Sequence, residues 1–201
     1  MGRRPVGNLL ALGILATLVE KPMHPYELAS VLRERDKEQD LAIKWGSLYR
    51  VIQNLERYGF IEAIESGRQG ARPERTVYRI TAPGREEADS WVRELLAWPT
   101  PEHSRLEAGL SVMGLLGPDE MIALLQQRVE RLESLQAAQR ATFSLHSRTL
   151  PRLFLLEREY DLAVRETELA WTRSLLGELV DGSFPDLEGW RDHHLSNGAS
   201  S

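Results

Sequence analysis

Residues 46–84 restrict the possible folds of this chain more than any other stretch. Leu48, Val51, Ile52 and Leu55 recur at i, i+3, i+4 and i+7, a spacing that gathers side chains on one face of an α-helix. Gly59 follows where a left-handed residue ends such a helix. Phe60 to Glu65 and Thr76 to Thr81 are rich in β-branched and aromatic residues, and Ser66-Gly67, Gly70 and Pro73 punctuate the link between them. This pattern predicts a hairpin with a long tip. Thr81 to Gly84 then reads as a new helix start.

The polar side of the first helix carries Ser47, Tyr49, Arg50, Gln53, Asn54 and Arg57, which the periodicity points outward. Hydroxyl, amide and guanidinium groups are the side chains that bond to phosphates and base edges. A solvated amphipathic face has the same composition, so the neighbours must decide. The hairpin tip holds Arg68, Arg72 and Arg75 with Glu74 opposing them, and an arginine loop beside such a helix suits the DNA backbone or the minor groove. Upstream, Leu9 to Val19 is an apolar helix ended by Pro22, and His24-Pro25-Tyr26-Glu27-Leu28 begins a second helix with Leu28, Val31 and Leu32 facing inward. Two supporting helices, a groove-reading helix and a basic hairpin make a winged helix-turn-helix. The mixed run Arg33 to Asp40 reads as a solvated helix end and linker.

A net charge of −5 seems wrong for a DNA-binding chain until it is divided. Residues 1–100 hold 15 basic and 14 acidic side chains, net +1, whereas residues 101–201 hold 10 and 16, net −6. Residues 44–85 alone carry 8 basic against 4 acidic groups. The positive potential is therefore concentrated where the groove-reading elements lie, as affinity through counterion release requires. Arg3 and Arg4 would extend that surface as an N-terminal arm, with simple disorder as the alternative.

Beyond Thr81 the pattern is helical. Ala88, Trp91, Val92, Leu95 and Leu96 form a broad apolar stripe over Pro83 to Trp98, and Pro99-Thr100-Pro101 marks a domain boundary. Helices are predicted over Ser104 to Leu116, Pro118 to about His146, and Arg152 to Val180. The last is roughly 43 Å long and repeats Leu155, Leu162, Leu169 and Leu176 every seven residues. Glu159, Glu166 and Arg173 at the companion positions argue against a strict two-stranded coiled coil, so antiparallel or intertwined helices of a dimer are expected. Leu155, Tyr160, Leu162, Leu169, Trp171 and Leu176 are the expected dimerisation residues, with intrachain packing as the alternative.

Four blocks of this sequence resemble those of the PadR-like transcriptional regulators: His24-Pro25-Tyr26-Glu27-Leu28, Gly46-Ser47-Leu48-Tyr49-Arg50, Leu55-Glu56-Arg57-Tyr58-Gly59-Phe60-Ile61, and Val77-Tyr78-Arg79-Ile80-Thr81-Ala82-Pro83-Gly84-Arg85. They fall in order over about the first hundred residues, and the helical C-terminal half is similar to the dimerisation region of larger relatives. The resemblance implies a cytoplasmic homodimeric repressor that binds double-stranded DNA at an inverted-repeat operator. It also implies release by a small aromatic or amphiphilic effector, phenolic acids being the best-known class.

The expected architecture is thus mainly α. A winged helix-turn-helix with a two-stranded β-wing occupies residues 1–98, a helical dimerisation domain residues 102–190, and a disordered tail residues 191–201. DNA contacts are expected from Lys44, Ser47, Tyr49, Arg50, Gln53, Asn54, Arg57, Arg68, Arg72 and Arg75. Trp91, Trp98, Phe154 and Trp171 are the aromatic residues from which an effector pocket could be built, although each also suits a core.

No cofactor, metal or membrane partner is expected. The chain has no cysteine, its five histidines are scattered, and no apolar run reaches about 18 residues. An enzyme reading has no motif to rest on, since Gly67-Arg68-Gln69-Gly70 lacks the Lys-Ser/Thr of a phosphate loop and no G-x-S-x-G turn occurs. The competing function is a winged-helix module for protein association or ligand binding without DNA, which weak salt dependence would reveal.

Overall fold

The structure is a computed structural model that describes residues 4–37, 41, 43–64, 76–101 and 104–198. It divides into two compact units, residues 1–101 and 102–201.

The first unit is built around α1 (Leu9–Leu18). Its sequence LLALGILATL is apolar on nearly every side, so the helix is stable only when wrapped by other elements. The Asn8 side-chain oxygen caps it by accepting from the Leu10 amide at 2.9 Å. Packed against it are α2 (Pro25–Glu34), α3 (Leu48–Arg57), α4 (Ala82–Ala97) and strand β2 (Val77–Ile80). A 3-10 turn, Trp45–Ser47, leads into α3. The core gathers Leu10, Ile14 and Leu15 of α1, Leu28 of α2, Ile52 and Leu55 of α3, Ile61 of β1 (Ile61–Ile64) and Ile80 of β2.

The end of α3 follows from its sequence. Gly59 adopts φ +71°, the Gly59 amide donates to Glu56 O at 2.9 Å, and the Phe60 amide donates to Leu55 O at 2.9 Å. These two bonds are the pair that closes a helix through a left-handed glycine. The chain then enters β1, which pairs antiparallel with β2 in the register Ile61 with Ile80, Glu62 with Arg79, Ala63 with Tyr78 and Ile64 with Val77. The other edge of β2 is held at one point by Met23, whose amide and carbonyl both bond to Tyr78. This bridge ties the loop before α2 to the wing, and no sequence pattern announced it.

A close approach joins the wing to α4. The Thr81 hydroxyl donates to Gly59 O at 2.6 Å and accepts from the Gly84 amide at 3.1 Å, while the Thr81 amide donates to Phe60 O at 3.1 Å. A Cβ at position 84 would collide with the Phe60 carbonyl, which belongs to the backbone and cannot move aside cheaply.

The second unit contains α5 (Arg105–Ser111), a 3-10 turn (Met113–Leu115), α6 (Pro118–His146), a 3-10 turn (Arg152–Phe154), α7 (Leu156–Asp181) and α8 (Leu187–Gly198). Arg128 and Glu133 of α6 pair with Glu168 and Arg173 of α7, whereas Gln139 and Arg140 further along α6 pair with the earlier Asp161 and Glu166, so the two run antiparallel. Met121, Leu125, Leu132 and Gln136 of α6 and Leu169, Thr172 and Leu179 of α7 are buried. The helix expected over Ser104 to Leu116 is instead broken at Val112, and the one expected from Arg152 begins properly at Leu156.

One expectation is corrected here. The segment taken as a disordered tail from residue 191 forms most of α8, anchored by Trp190, whose indole N–H donates to Leu116 O at 2.9 Å beside the Phe184 ring. A polar sequence made this end look solvated, but one tryptophan supplies the docking point. Of the heptad leucines expected to meet a partner subunit, Leu155 and Leu169 are buried within their own unit, the alternative of intrachain packing, while Leu162 and Leu176 are half-buried. Among the described residues, no helix is long and apolar enough to cross a membrane.

Replacing Gly84 with Ala should destabilise the first unit by about 2 kcal/mol, the usual range for forcing extra volume into a packed site. Gly46→Ala, where an added Cβ meets nothing within 4 Å, should leave thermal stability nearly unchanged in the same melting experiment.

Candidate nucleic-acid interface

Helix α3 presents two chemically opposite faces. Leu48, Val51, Ile52 and Leu55 are buried against α1 and the rest of the core, and this fixes the helix about its own axis. Tyr49, Arg50, Gln53 and Arg57 are consequently exposed, and Asn54 is half-buried. Ten residues make a rod of about 15 Å, a length that fits within a major groove.

Ser47 does not belong to that face. It is buried, and its hydroxyl donates to the Lys44 carbonyl at 2.7 Å, alongside its own amide at 2.8 Å. The helical period alone placed it outward, whereas the 3-10 turn before α3 rotates it inward. Ser47 therefore shapes the entry to α3 while the Lys44 side chain stays exposed. Trp45, which sequence reasoning left without a role, packs on the core from the same turn, and the Arg33 guanidinium lies 4.1 Å from its ring centroid. Arg33 is thus a brace for the start of α3.

Ion pairing separates the positive charges of this unit into two groups. Arg4 bonds Glu87, Lys21 bonds Glu27, Arg35 bonds Glu20 through both terminal nitrogens, Arg79 bonds Glu62 across the hairpin, and Arg93 approaches Asp89. Lys44, Arg50 and Arg57 form no ion pair with a described residue, and Arg57 lies over the Tyr58 ring at 5.1 Å. Arg33 and Arg85 also form no ion pair with a described residue, but Arg33 lies on the Trp45 ring and Arg85 donates to Val19 O at 3.5 Å, so Lys44, Arg50 and Arg57 are the group that a polyanion would meet at α3. Arg68, Arg72 and Arg75, expected at the hairpin tip, lie outside the described residues.

Arg4 is not an arm. Its guanidinium reaches Glu87 and Glu94 on α4 and lies 5.2 Å from the Trp91 ring centroid, with only 14% of the side chain exposed. Burial opposes the charged form, but the hydrogen bonds and charges of Glu87 and Glu94 outweigh it and hold the pKa above the ordinary arginine value. Arg3 lies outside the described residues.

Residues 14–90, from α1 into α4, match the transcriptional regulator PadR-like family. The winged unit is a PadR-like domain. Bacillus subtilis PadR in complex with operator DNA superposes with a TM-score of 0.68 at 20% identity, covering 85% of this chain and 98% of that one. The complex of the same protein with p-coumaric acid gives 0.69 at 19% identity over 85% and 98%. A PadR-like regulator from Bacillus cereus gives 0.58 at 16% identity over 86% and 98%. The likeness therefore includes the helical second unit as well as the PadR-like domain. No curated protein matches the sequence.

The aromatic residues expected to form an effector pocket are not assembled into one within either unit. Trp91 is 5% exposed and belongs to the core of the PadR-like domain under Arg4, which corrects its assignment. Trp98 is exposed at the end of α4. Phe154 and Trp171 are exposed in the second unit, separated by most of the first four turns of α7, and Trp171 borders a cavity there. Among the described residues, no group of three or more His, Cys, Asp or Glu is placed to hold a metal ion.

Arg4→Ala removes the cation between Glu87 and Glu94 and should lower unfolding free energy by about 1–2 kcal/mol in chemical denaturation. DNA affinity of the folded fraction should be unchanged. A specific loss of affinity without loss of stability would restore Arg4 as an arm.

Proposed function

We propose that this protein is a DNA-binding transcriptional regulator that acts as a homodimer on an inverted-repeat operator, in the repressing direction. The observation that carries this reading is the placement of Lys44, Arg50 and Arg57 together on and before α3 without carboxylate partners, while Arg4, Arg35 and Arg79 are paired. Arg50 and Lys44 hold phosphates, Gln53 and Tyr49 read base edges, and Asn54 supports them at the groove margin. Arg68, Arg72 and Arg75 of the wing grip the flanking backbone. The Bacillus subtilis PadR complex with operator DNA supports this assignment through its shared fold.

The dimer is supported by what α7 leaves uncovered. Leu156, Tyr160, Val164 and Trp171 are exposed and fall within one side of the helix, roughly opposite the side that packs on α6. An apolar face of this kind marks an interaction surface. Of the residues expected at a dimer interface, Tyr160 and Trp171 lie on this face. Two α3 helices about one helical turn apart, roughly 34 Å, then read a pseudo-palindrome. Repression follows from occupancy of a promoter, and a small aromatic or amphiphilic effector relieves it, a reading supported by the p-coumaric acid complex of Bacillus subtilis PadR.

Binding of the full chain to duplex fragments from its own upstream region should weaken steeply with salt. Arg50→Ala and Arg72→Ala should each lower the slope of log affinity against log salt by about one, with similar losses on all sequences, while Gln53→Ala should cost about 1–3 kcal/mol at particular base pairs. Salt-insensitive association would instead identify a protein-binding module. Tyr160→Glu should raise the dimer dissociation constant at least about 100-fold in sedimentation, since an unpaired buried charge costs ~3–5 kcal/mol. An unshifted dimer would remove α7 from the interface.

A further inference from the structure

The second unit contains a groove of about 760 Å³, lined by α5, the following 3-10 turn, α6 and α7. Its volume falls in the range of small-molecule sites, about 300–1,000 Å³. Leu106, Leu110, Met113, Leu116, Leu125 and Leu132 provide aliphatic walls, and the lining has no aromatic side chain. Leucine and methionine surfaces adapt to a flexible chain and offer no ring for stacking.

Charge gives the groove a direction. Arg105, Arg128, Arg131 and Arg165 line it against a single carboxylate, Glu168, in a half of the chain whose net charge is −6. Arg128 is engaged by Glu168 and Arg165 by Asp161 at 3.1 Å, whereas Arg105 and Arg131 form no ion pair with a described residue. Arg128 and Arg131 stand one turn apart on α6, so they meet the same end of a ligand.

We propose that this groove binds an amphiphilic monoanion with an aliphatic body, of the alkyl carboxylate class. The carboxylate lies against Arg131, with Arg128 beside it, and the chain runs along the leucine and methionine walls. The inference deepens the effector part of the proposed function and rests on that part for any regulatory meaning, but binding itself is read without DNA.

Calorimetric titration of the full chain with octanoate, decanoate and dodecanoate, below their micellar concentrations, tests it. Affinity should rise about tenfold for each two added methylenes, as burial of an aliphatic chain requires. Decanoate should bind at least tenfold more tightly than decanol or decyltrimethylammonium. Arg131→Gln should bring decanoate down to the level of decanol while leaving decanol unchanged. At Gly109 on α5 an added Cβ meets nothing within 4 Å, so Gly109→Phe should fill the groove without unfolding the helix and abolish both. Equal binding of anion and cation, or undiminished binding to both variants, overturns the proposal. So does an absence of saturable binding, including the case where Gly109→Phe converts a dimer to a monomer and thereby shows the groove to be filled by a second copy. A chain that binds decanoate as described yet ignores duplex DNA sinks the regulator reading and leaves this site standing.

Discussion

The contact between Thr81, Gly84 and the carbonyls of Gly59 and Phe60 is the constraint on which the first unit depends. Three elements change direction within a few ångströms there: α3 ends, β1 begins and α4 starts. One hydroxyl serves two of them, donating to Gly59 O and accepting from the Gly84 amide, and the missing side chain at Gly84 lets backbone pack on backbone. The wing therefore leaves the end of α3 in a fixed direction. Without this joint the basic hairpin would be a tethered loop, and its arginines would bring entropy rather than position to a DNA contact.

For the proposed DNA contact, an acidic chain must keep its negative charge from cancelling its positive charge at the contact surface. Here the cancellation is local and placed elsewhere. Arg4, Arg35 and Arg79 are spent on Glu87, Glu20 and Glu62, pairs that organise the back of the unit and the strands of the wing. The exposed pairs of Arg35 and Arg79 contribute little to stability, typically below about 1 kcal/mol, so their main effect is on where free charge remains. Lys44, Arg50 and Arg57, at the entry and on the outer face of α3, are among the cations left without a carboxylate, and net charge says nothing about them.

How much of this was legible in the sequence depends on the range of the interaction. The end of α3 at the glycine stop Gly59, the limits of α6 and the hairpin were readable because caps, breakers and periodicity act over a few residues. Ser47 was misplaced because a 3-10 turn of three residues breaks the 3.6-residue period on which its outward placement rested. Arg4, Trp91 and Glu94 meet across roughly ninety residues of chain, and no local pattern encodes that contact. The bridge from Met23 to Tyr78 uses backbone atoms only, so side-chain identity carries no trace of it. The helical end of the chain was missed because Trp190 docks on the carbonyl of Leu116, a partner invisible to composition.

The leucine repeat of α7 shows why a single apolar stripe is weak evidence for a partner subunit. A long amphipathic helix needs one apolar face to stay folded, and α6 satisfies that need inside the same chain by burying Leu169, Thr172 and Leu179. The support for the proposed assembly is the second face, since Leu156, Tyr160, Val164 and Trp171 are exposed and still apolar. A helix with one apolar face is explained by its own hairpin. A helix with two is explained only by something that covers the other, and the aromatic pair Tyr160 and Trp171 is the composition that interface cores favour over ordinary surface.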